Sequence, residues 1–287
     1  MIGIFWNCNG FADQKKYRFL SELVKEKNLN FMALSETGRT RIPQNTLNNI
    51  CAGKDYLWHT KAPVGHSGGM LVGVNLTTFD IGEIEEGEFF VHFKLRNRED
   101  NFIWNLVSVY GPAQPDLIEK FLTELVQLCT KETIPIAIGG DFNIIWGPQD
   151  KNNDNYNDRW PFLFNAIIDA VNLRELELSG RKYTWANHQR NQTFKKLDRI
   201  LVCTDFEFKF PHTMVHALNH EISDHTPLLM NTGNSSVTYQ PQFTFELGWL
   251  LREGFVEMVS DIWQNTLAEG TPLERWQTKI RKLHQYL

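Results

Sequence analysis

Acids, amides, a tyrosine and a histidine recur where the apolar runs of this chain stop. They are Asn7 in FWNCNG, Glu36 in ALSET, Tyr110 in VSVYGP, Asp141 and Asn143 in GGDFN, Asp198 in KKLDRIL, and Asp224 with His225 in ISDHTPL. Singly, each has an ordinary explanation: an Asn closes a turn, a Tyr packs its ring, and Ser-Asp-His caps a loop. Together they form an oxygen-rich set with one imidazole and no cysteine pair, which suits Mg²⁺ or Mn²⁺ and disfavours zinc. Such an ion neutralises phosphate oxygens and a leaving alkoxide while a carboxylate orients or deprotonates water. The inventory therefore points to phosphoester hydrolysis. No GxxxxGK[ST] loop, HExxH or GxSxG occurs, which removes the nucleotide-motor, zinc-protease and serine-hydrolase readings.

Strands must carry these groups to one place. In IPIAIGGDFNII, residues 134 to 145, Ile134, Ile136 and Ile138 read as a strand covered on both faces. Gly139 and Gly140 then allow a bend and a close approach, and Asp141 and Asn143, two apart on an extended chain, would face one pocket. An Asx turn closing the strand is the simpler alternative. Residues 2 to 6, LNFMALSE, and stretches near 69 to 75, 89 to 95, 102 to 110, 182 to 187, 194 to 202, 212 to 218 and 226 to 230 also read as strands. Helical spacing runs over Asp13 to Lys27 (Tyr17, Leu20, Leu23, Val24), near 115 to 130 and near 160 to 170. Hairpin meanders mixed with helices favour an α+β sandwich, two sheets face to face with helices outside.

Nine Trp and twenty Phe in 287 residues supply material for a large core. No apolar run is long enough for a membrane span and the N-terminus lacks signal-peptide character, so an intracellular chain is expected. Cys8, Cys51, Cys129 and Cys203 are scattered, which predicts buried reduced thiols. The net charge of −5 argues against indiscriminate nucleic-acid binding. From Ser179 to Cys203, however, Arg181, Lys182, Arg190, Lys195, Lys196 and Arg199 face the single acid Asp198. That is a solvated hairpin surface or a phosphate-binding stripe. After Met230 a polar linker leads to a helical tail with Phe255, Met258, Val259 and Ile262 on one stripe, and its basic amphipathic end suggests a longer polypeptide. The expected organisation is a domain over 1–230 and a linker with helical tail over 231–287.

WNCNG, LSET, VSVYGP, GGDFN, LDRIL and SDHTPL, in this order over residues 1 to about 230, resemble the endonuclease/exonuclease/phosphatase superfamily. Within it, RKYTWANHQRNQTFKKLDRILV followed by SDHTPLL is similar to the apurinic-endonuclease-like domain of LINE-type non-LTR retrotransposon polyproteins, especially plant ones. The resemblance implies a four-layer, DNase I-like sandwich. It also implies a Mg²⁺-dependent (or Mn²⁺-dependent) monomeric endonuclease that nicks double-stranded DNA in the nucleus. The nick would leave a 3′ hydroxyl to prime a reverse transcriptase that is natively fused to it and absent from this chain. Glu36 would be the principal metal ligand, aided by Asn7 and Asp224. Asp141 would position or activate water, and Asn143 would hold that water and the phosphate. His225 would contact the scissile phosphate with Asp198 fixing its tautomer, and Tyr110 would bond the phosphate or assist proton transfer. Thr184 and Trp185 match positions near DNA, and Ala186 to Thr193 matches a groove-entering hairpin; Arg181, Lys182, Asn187, Arg190, Lys195, Lys196 and Ser223 complete the implied DNA-contacting set. Asn9 stands where many relatives carry Arg or Asp, so no metal role is assigned to it. An abasic-site repair enzyme, a small-molecule phosphatase or sphingomyelinase, and an inactive binding or assembly module remain the alternatives.

Overall fold

Along β1 (Ile2–Asn7), Phe5 joins one apolar cluster while Ile4 and Trp6 join another, because successive side chains leave a strand on opposite faces. In the computed structural model this alternation builds a layered domain. The structure describes residues 1–63, 68–153, 159–187, 189, 191–218, 222–233, 252–267 and 270–284. By contacts the chain forms two compact units, Met1–Ser236 and Val237–Leu287.

Two mixed sheets form the first unit. One has the order β10 (Leu178–Ser179), β14 (Met214–Ala217), β15 (Leu228–Asn231), β1, β2 (Phe31–Ser35), β4 (Met70–Asn75), β3 (Tyr56–Lys61). The other has the order β5 (Phe79–Glu86), β6 (Phe90–Asn97), β7 (Ile103–Tyr110), β8 (Ile136–Asp141), β13 (Asp198–Cys203), β9 (Leu173–Glu175). A short pair, β11 (Trp185–Ala186) and β12 (Phe194–Lys195), stands apart from both.

Phe5, Phe31, Phe93, Trp104, Leu106 and Ile200 fill the space between the sheets. Trp104 is fully buried and meets Phe31, Phe79 and Phe206 edge-on, with its indole N–H satisfied by Asn97. Outside the first sheet, α1 (Gln14–Lys27) and α2 (Gln44–Cys51) cover Ile4, Met32 and Leu34. Outside the second, α3 (Pro115–Lys131) and α4 (Arg159–Ala170) cover Val107, Val109 and Ile138. Three apolar layers thus separate four layers of secondary structure, and α5 (Thr204–Lys209) closes the central one through Phe206. The expected DNase I-like α+β sandwich is the observed fold. Each fully buried Phe or Leu contributes on the order of 2 kcal/mol of transfer free energy, so strands covered on both faces are the rigid part of the frame.

Some sequence expectations needed adjusting. The strand expected over 182 to 187 is only Trp185–Ala186, because Thr184 turns its hydroxyl inward to accept from the Leu197 and Asp198 amides at 3.0 and 2.9 Å. None of β3, β5 and α2 is among the expected elements: the two strands lack a clean alternation, and α2 is only eight residues long, its apolar stripe limited to Leu47, Ile50 and Cys51. All four cysteines are free, and Cys8 and Cys51 are buried. Among the described residues no helix is long and apolar enough to cross a membrane.

In the second unit, α6 (Phe255–Asn265) half-buries Phe255, Met258, Val259 and Ile262, the stripe read from sequence. Before α7 (Pro272–His284), Thr271 and Glu274 form a reciprocal cap: the Thr271 amide donates to Glu274 at 2.8 Å and the Glu274 amide to Thr271 Oγ1 at 3.4 Å. Residues 243–251 of the expected tail lie outside the described residues.

Candidate active site

End residues of three neighbouring strands align: the last of β7, the last of β8 and, because β13 runs antiparallel to β8, the first of β13. Tyr110 of β7 and Asp198 of β13 are both in register with Asp141 of β8. Asp141 is fully buried at the tip of its strand. The two glycines before it serve packing: a Cβ on Gly139 would meet the Phe5 ring at 2.7 Å, and one on Gly140 the Val109 carbonyl oxygen at 2.2 Å. Gly139 thus lets β8 approach Phe5 of the first sheet, and Gly140, at φ 136°, lets it lie against β7 within its own sheet, so the close approach expected from the sequence is made by protein atoms. Asn143 is not on an extended chain; it has φ 53°, its amide donates to Asp141 Oδ1 at 2.9 Å, and its Nδ2 donates to Gly111 O at 2.9 Å. The Asx turn and the shared pocket are therefore both present.

From the first sheet come Asn7, which ends β1, and Glu36, which follows β2. Asn7 Nδ2 donates to Asp141 Oδ2 at 2.9 Å and lies 3.4 Å from His225 Nε2. Its Oδ1 accepts the Asn9 amide at 3.1 Å. Glu36 occupies the left-handed region at φ 51°, a strained position for a side-chain-bearing residue, with its carbonyl accepting the Gly10 amide at 2.6 Å. That kink turns its carboxylate to the Tyr110 hydroxyl, which donates to Oε1 at 2.7 Å. Burial, that bond and the charges of Glu36, Asp141 and Asp224 raise the Tyr110 pKa, so three carboxylates act on one phenol.

His225 is held from several sides. Its backbone carbonyl accepts the Trp6 indole N–H at 3.3 Å, and its amide donates to Ser223 Oγ at 3.2 Å. Ser223 Oγ in turn donates to Asn7 O at 2.9 Å. The ring Nδ1 lies 2.8 Å from Asp198 Oδ2 and Nε2 lies 3.7 Å from Asp141 Oδ2. Burial pushes the imidazole pKa down, but the charges of Asp198 and Asp141 and the Asp198 bond outweigh it and lift the group to about 10. Burial, reinforced by Asp198, lifts Asp141 to about 7 against the pull of His225. The site thus keeps a proton between an acid and an imidazole near neutral pH.

Asp224 is clamped by two donors, Asn9 Nδ2 and Trp185 Nε1, both at 2.9 Å. Lys16 is a further contributor. It is buried on the same helical stripe as Leu20 and Leu23, and its ammonium binds the carbonyls of Cys8, Asn9 (3.0 Å) and Gly10 (2.8 Å), pinning the turn that carries Asn7 and Asn9. A lysine four residues before Leu20 on an apolar stripe was the available signal in the sequence.

The residues that the resemblance implies as DNA-contacting divide. Trp185 bridges to His225 through the backbone, and Lys195 Nζ lies 5.2 Å from the Trp185 ring centre. Asn187 folds back to accept the Thr193 amide at 2.7 Å, Lys182 lies over Tyr183, and Arg181 reaches Thr226 at 3.3 Å. Lys196 is instead bound to Glu175 at 2.7 Å. Arg199 is fully buried against Asp150 (2.6 Å) and Glu175 (3.1 Å), so acids from outside the hairpin cancel part of the charge counted along it. His188 and Arg190 lie outside the described residues.

Asp141, Asp198 and His225 offer ligand atoms within 4.8 Å of one another, and buried Asp198 Oδ1 has no hydrogen-bond partner. With Glu36 and Asp224 bordering them, carboxylates outnumber the one imidazole. This donor set fits a hard divalent cation.

Residues 4–225 match the Endonuclease/Exonuclease/phosphatase family. No curated protein matches the chain in sequence. Among solved structures the chain is similar to the 3′ phosphatase NExo from Neisseria bound to a product DNA hairpin, at 15% identity and TM-score 0.63, covering 80% of this chain and 98% of that one. It is similar to the endonuclease domain of TRAS1, a telomere-specific non-LTR retrotransposon (14%, TM-score 0.60, 80% and 97% covered). It is also similar to an AP endonuclease from Archaeoglobus fulgidus (13%, TM-score 0.63, 80% and 98% covered). At these identities the structural likeness carries the fold, while the sequence match runs from Ile4 in β1 to His225; the chain belongs to the endonuclease/exonuclease/phosphatase family.

Proposed function

We propose that residues 1–230 are a divalent-metal-dependent endonuclease that nicks double-stranded DNA and leaves a 3′ hydroxyl for target-primed reverse transcription. The observation that carries this reading is the His225 imidazole set between Asp198 and Asp141, with Trp185 of the basic hairpin bridged to the same residue. Phosphodiester chemistry needs a cation for the phosphate, a water held in line and a path for a proton. His225, positively charged at neutral pH, would meet a non-bridging phosphate oxygen. Asp198 would act as its positioning residue. Asp141 and Asn143 would hold the attacking water, and Asp141, lifted to about 7, can take its proton. Glu36 and Asp224 would hold Mg²⁺ or Mn²⁺, which when bound neutralises phosphate and leaving-group charge. Asn7, its Nδ2 turned to Asp141 and His225, would orient both.

In this reading the substrate is double-stranded DNA, the domain works as a monomer in the nucleus, and the polyprotein supplies the reverse transcriptase. Supercoiled plasmid with Mg²⁺, with and without chelator, is the test. Chelator-sensitive nicking whose ends a polymerase extends supports the proposal. Folded protein that leaves plasmid intact with Mg²⁺ or Mn²⁺ turns the reading to a binding or assembly module. Cleavage confined to abasic oligonucleotides turns it to a repair enzyme.

A further inference from the structure

On the outer side of the second sheet, Glu85 of β5, His92 of β6 and Glu132, the residue after α3, offer ligand atoms within 4.8 Å of one another. Glu85 pairs with His92 and His92 with Val107, so Glu85 and His92 lie in one cross-strand row on the side that α3 covers, and Glu132 meets them from the end of that helix. Val107, the β7 residue of this row, stands three residues before Tyr110, which places the row ~10 Å along the strand from the strand-end site, and Asn105 lies two residues further from it.

The state of His92 is fixed by its neighbours. The ring is 2% exposed. Asn105 Nδ2 donates to Glu132 Oε2 at 2.8 Å, so the amide oxygen faces the imidazole, and that oxygen lies 2.7 Å from His92 Nε2. Nε2 therefore carries the hydrogen and Nδ1 is the other ring nitrogen, which has no hydrogen-bond partner. It lies 3.8 Å from Glu85 Oε2. That is too long for a hydrogen bond, but it suits two ligands on one ion bound at about 2.0–2.2 Å each. An imidazole whose other N–H is anchored by an oxygen is the usual arrangement of a metal-binding histidine. The C-terminal end of α3 adds partial negative charge. Lys131 Nζ, 2.8 Å from Glu85 Oε2 on a side chain 59% exposed, holds the place of a cation and can swing away.

We propose that Glu85, His92 and Glu132 form a second metal site, for a borderline divalent transition ion of the Zn²⁺ class, with water completing its coordination. Imidazole nitrogen with two carboxylates suits such an ion better than Mg²⁺. Its role is structural: it ties β5, an edge strand with a bulge between Ile81 and Ile84, to the end of α3.

Calorimetric titration of the full chain with Zn²⁺ tests this. His92→Gln and Glu132→Gln are expected to bind one ion fewer than the wild type, to lose the Zn²⁺-dependent rise in Tm contributed by this site, and to nick DNA in Mg²⁺ as the wild type does. Retention of the wild-type number of ions by His92→Gln overturns the proposal. Should that buried variant not fold, half-buried Glu132→Gln serves with Co²⁺ as the probe. Loss of part of the visible Co²⁺ absorption supports the site, and an unchanged spectrum overturns it.

Discussion

Asp198 Oδ2 lies 2.8 Å from His225 Nδ1, and both groups are buried. The carboxylate therefore sets which nitrogen of the ring faces Asp141. Asp198→Asn keeps the shape but removes the charge that holds the imidazole protonated. The nicking rate is expected to fall on the order of 10²- to 10⁴-fold, and the alkaline limb of the pH–rate profile to move to lower pH. Single-turnover rates across pH check this; a wild-type profile removes Asp198 from its positioning role.

Without metal, the fold should lose stability as pH rises. Burial lowers His225, but Asp198 and Asp141 outweigh it and raise the folded-state value from 6.5 to about 10. The contribution is full below pH 6.5 and is lost as pH rises through about 10, because the folded state holds the proton more tightly. Asp141, raised chiefly by burial from 3.8 to about 7, loses its contribution over that lower window. In chelator, the wild-type Tm should fall more steeply between pH 6.5 and 10 than that of His225→Gln. Parallel slopes would contradict the coupling.

Lys16→Met should loosen the turn that carries Asn7 and Asn9. Three carbonyls lose a charged donor, which should cost about 1 to 3 kcal/mol in urea unfolding. The nicking rate of the folded variant should fall too, because Asn9 no longer holds Asp224. Wild-type turnover by folded Lys16→Met would limit Lys16 to stability.

Adjacent lysines should behave differently. Lys195 lies over Trp185 near the site, so Lys195→Ala should weaken DNA binding and reduce the slope of log affinity against log salt by about one. Lys196 is committed to Glu175, so Lys196→Ala should leave that slope unchanged and cost about 1 kcal/mol of stability. Equal effects on the salt slope would show that the Glu175 pair opens on DNA.

The helical unit should be dispensable for chemistry. Its acids Glu253, Glu257 and Asp261 are exposed. A chain of Met1–Ser236 should retain nicking within a few-fold of the full chain. A folded truncation with a rate lower by on the order of 10² would assign the tail a catalytic or substrate role.

The sequence by itself determined the strand-forming runs, the polar residues at their ends and the chemical class of the set. Those features are local: β-branched periodicity places Ile136, Ile138 and Asp141 on one strand without reference to the rest of the chain. Tertiary structure decided how the groups meet. The alignment of Tyr110, Asp141 and Asp198 is a matter of register between distant strands, and the glycines of GGDFN answer to Phe5 and the Val109 carbonyl. Asn143 reaches the pocket through a left-handed turn, and Arg199 leaves the basic stripe for Asp150 and Glu175. Lys16, Asn9 and the Glu85–His92–Glu132 cluster depend on the same kind of long-range packing. A buried charge or an idle imidazole nitrogen is defined by what surrounds it, and residues far apart in the chain supply those surroundings only once the two sheets have closed.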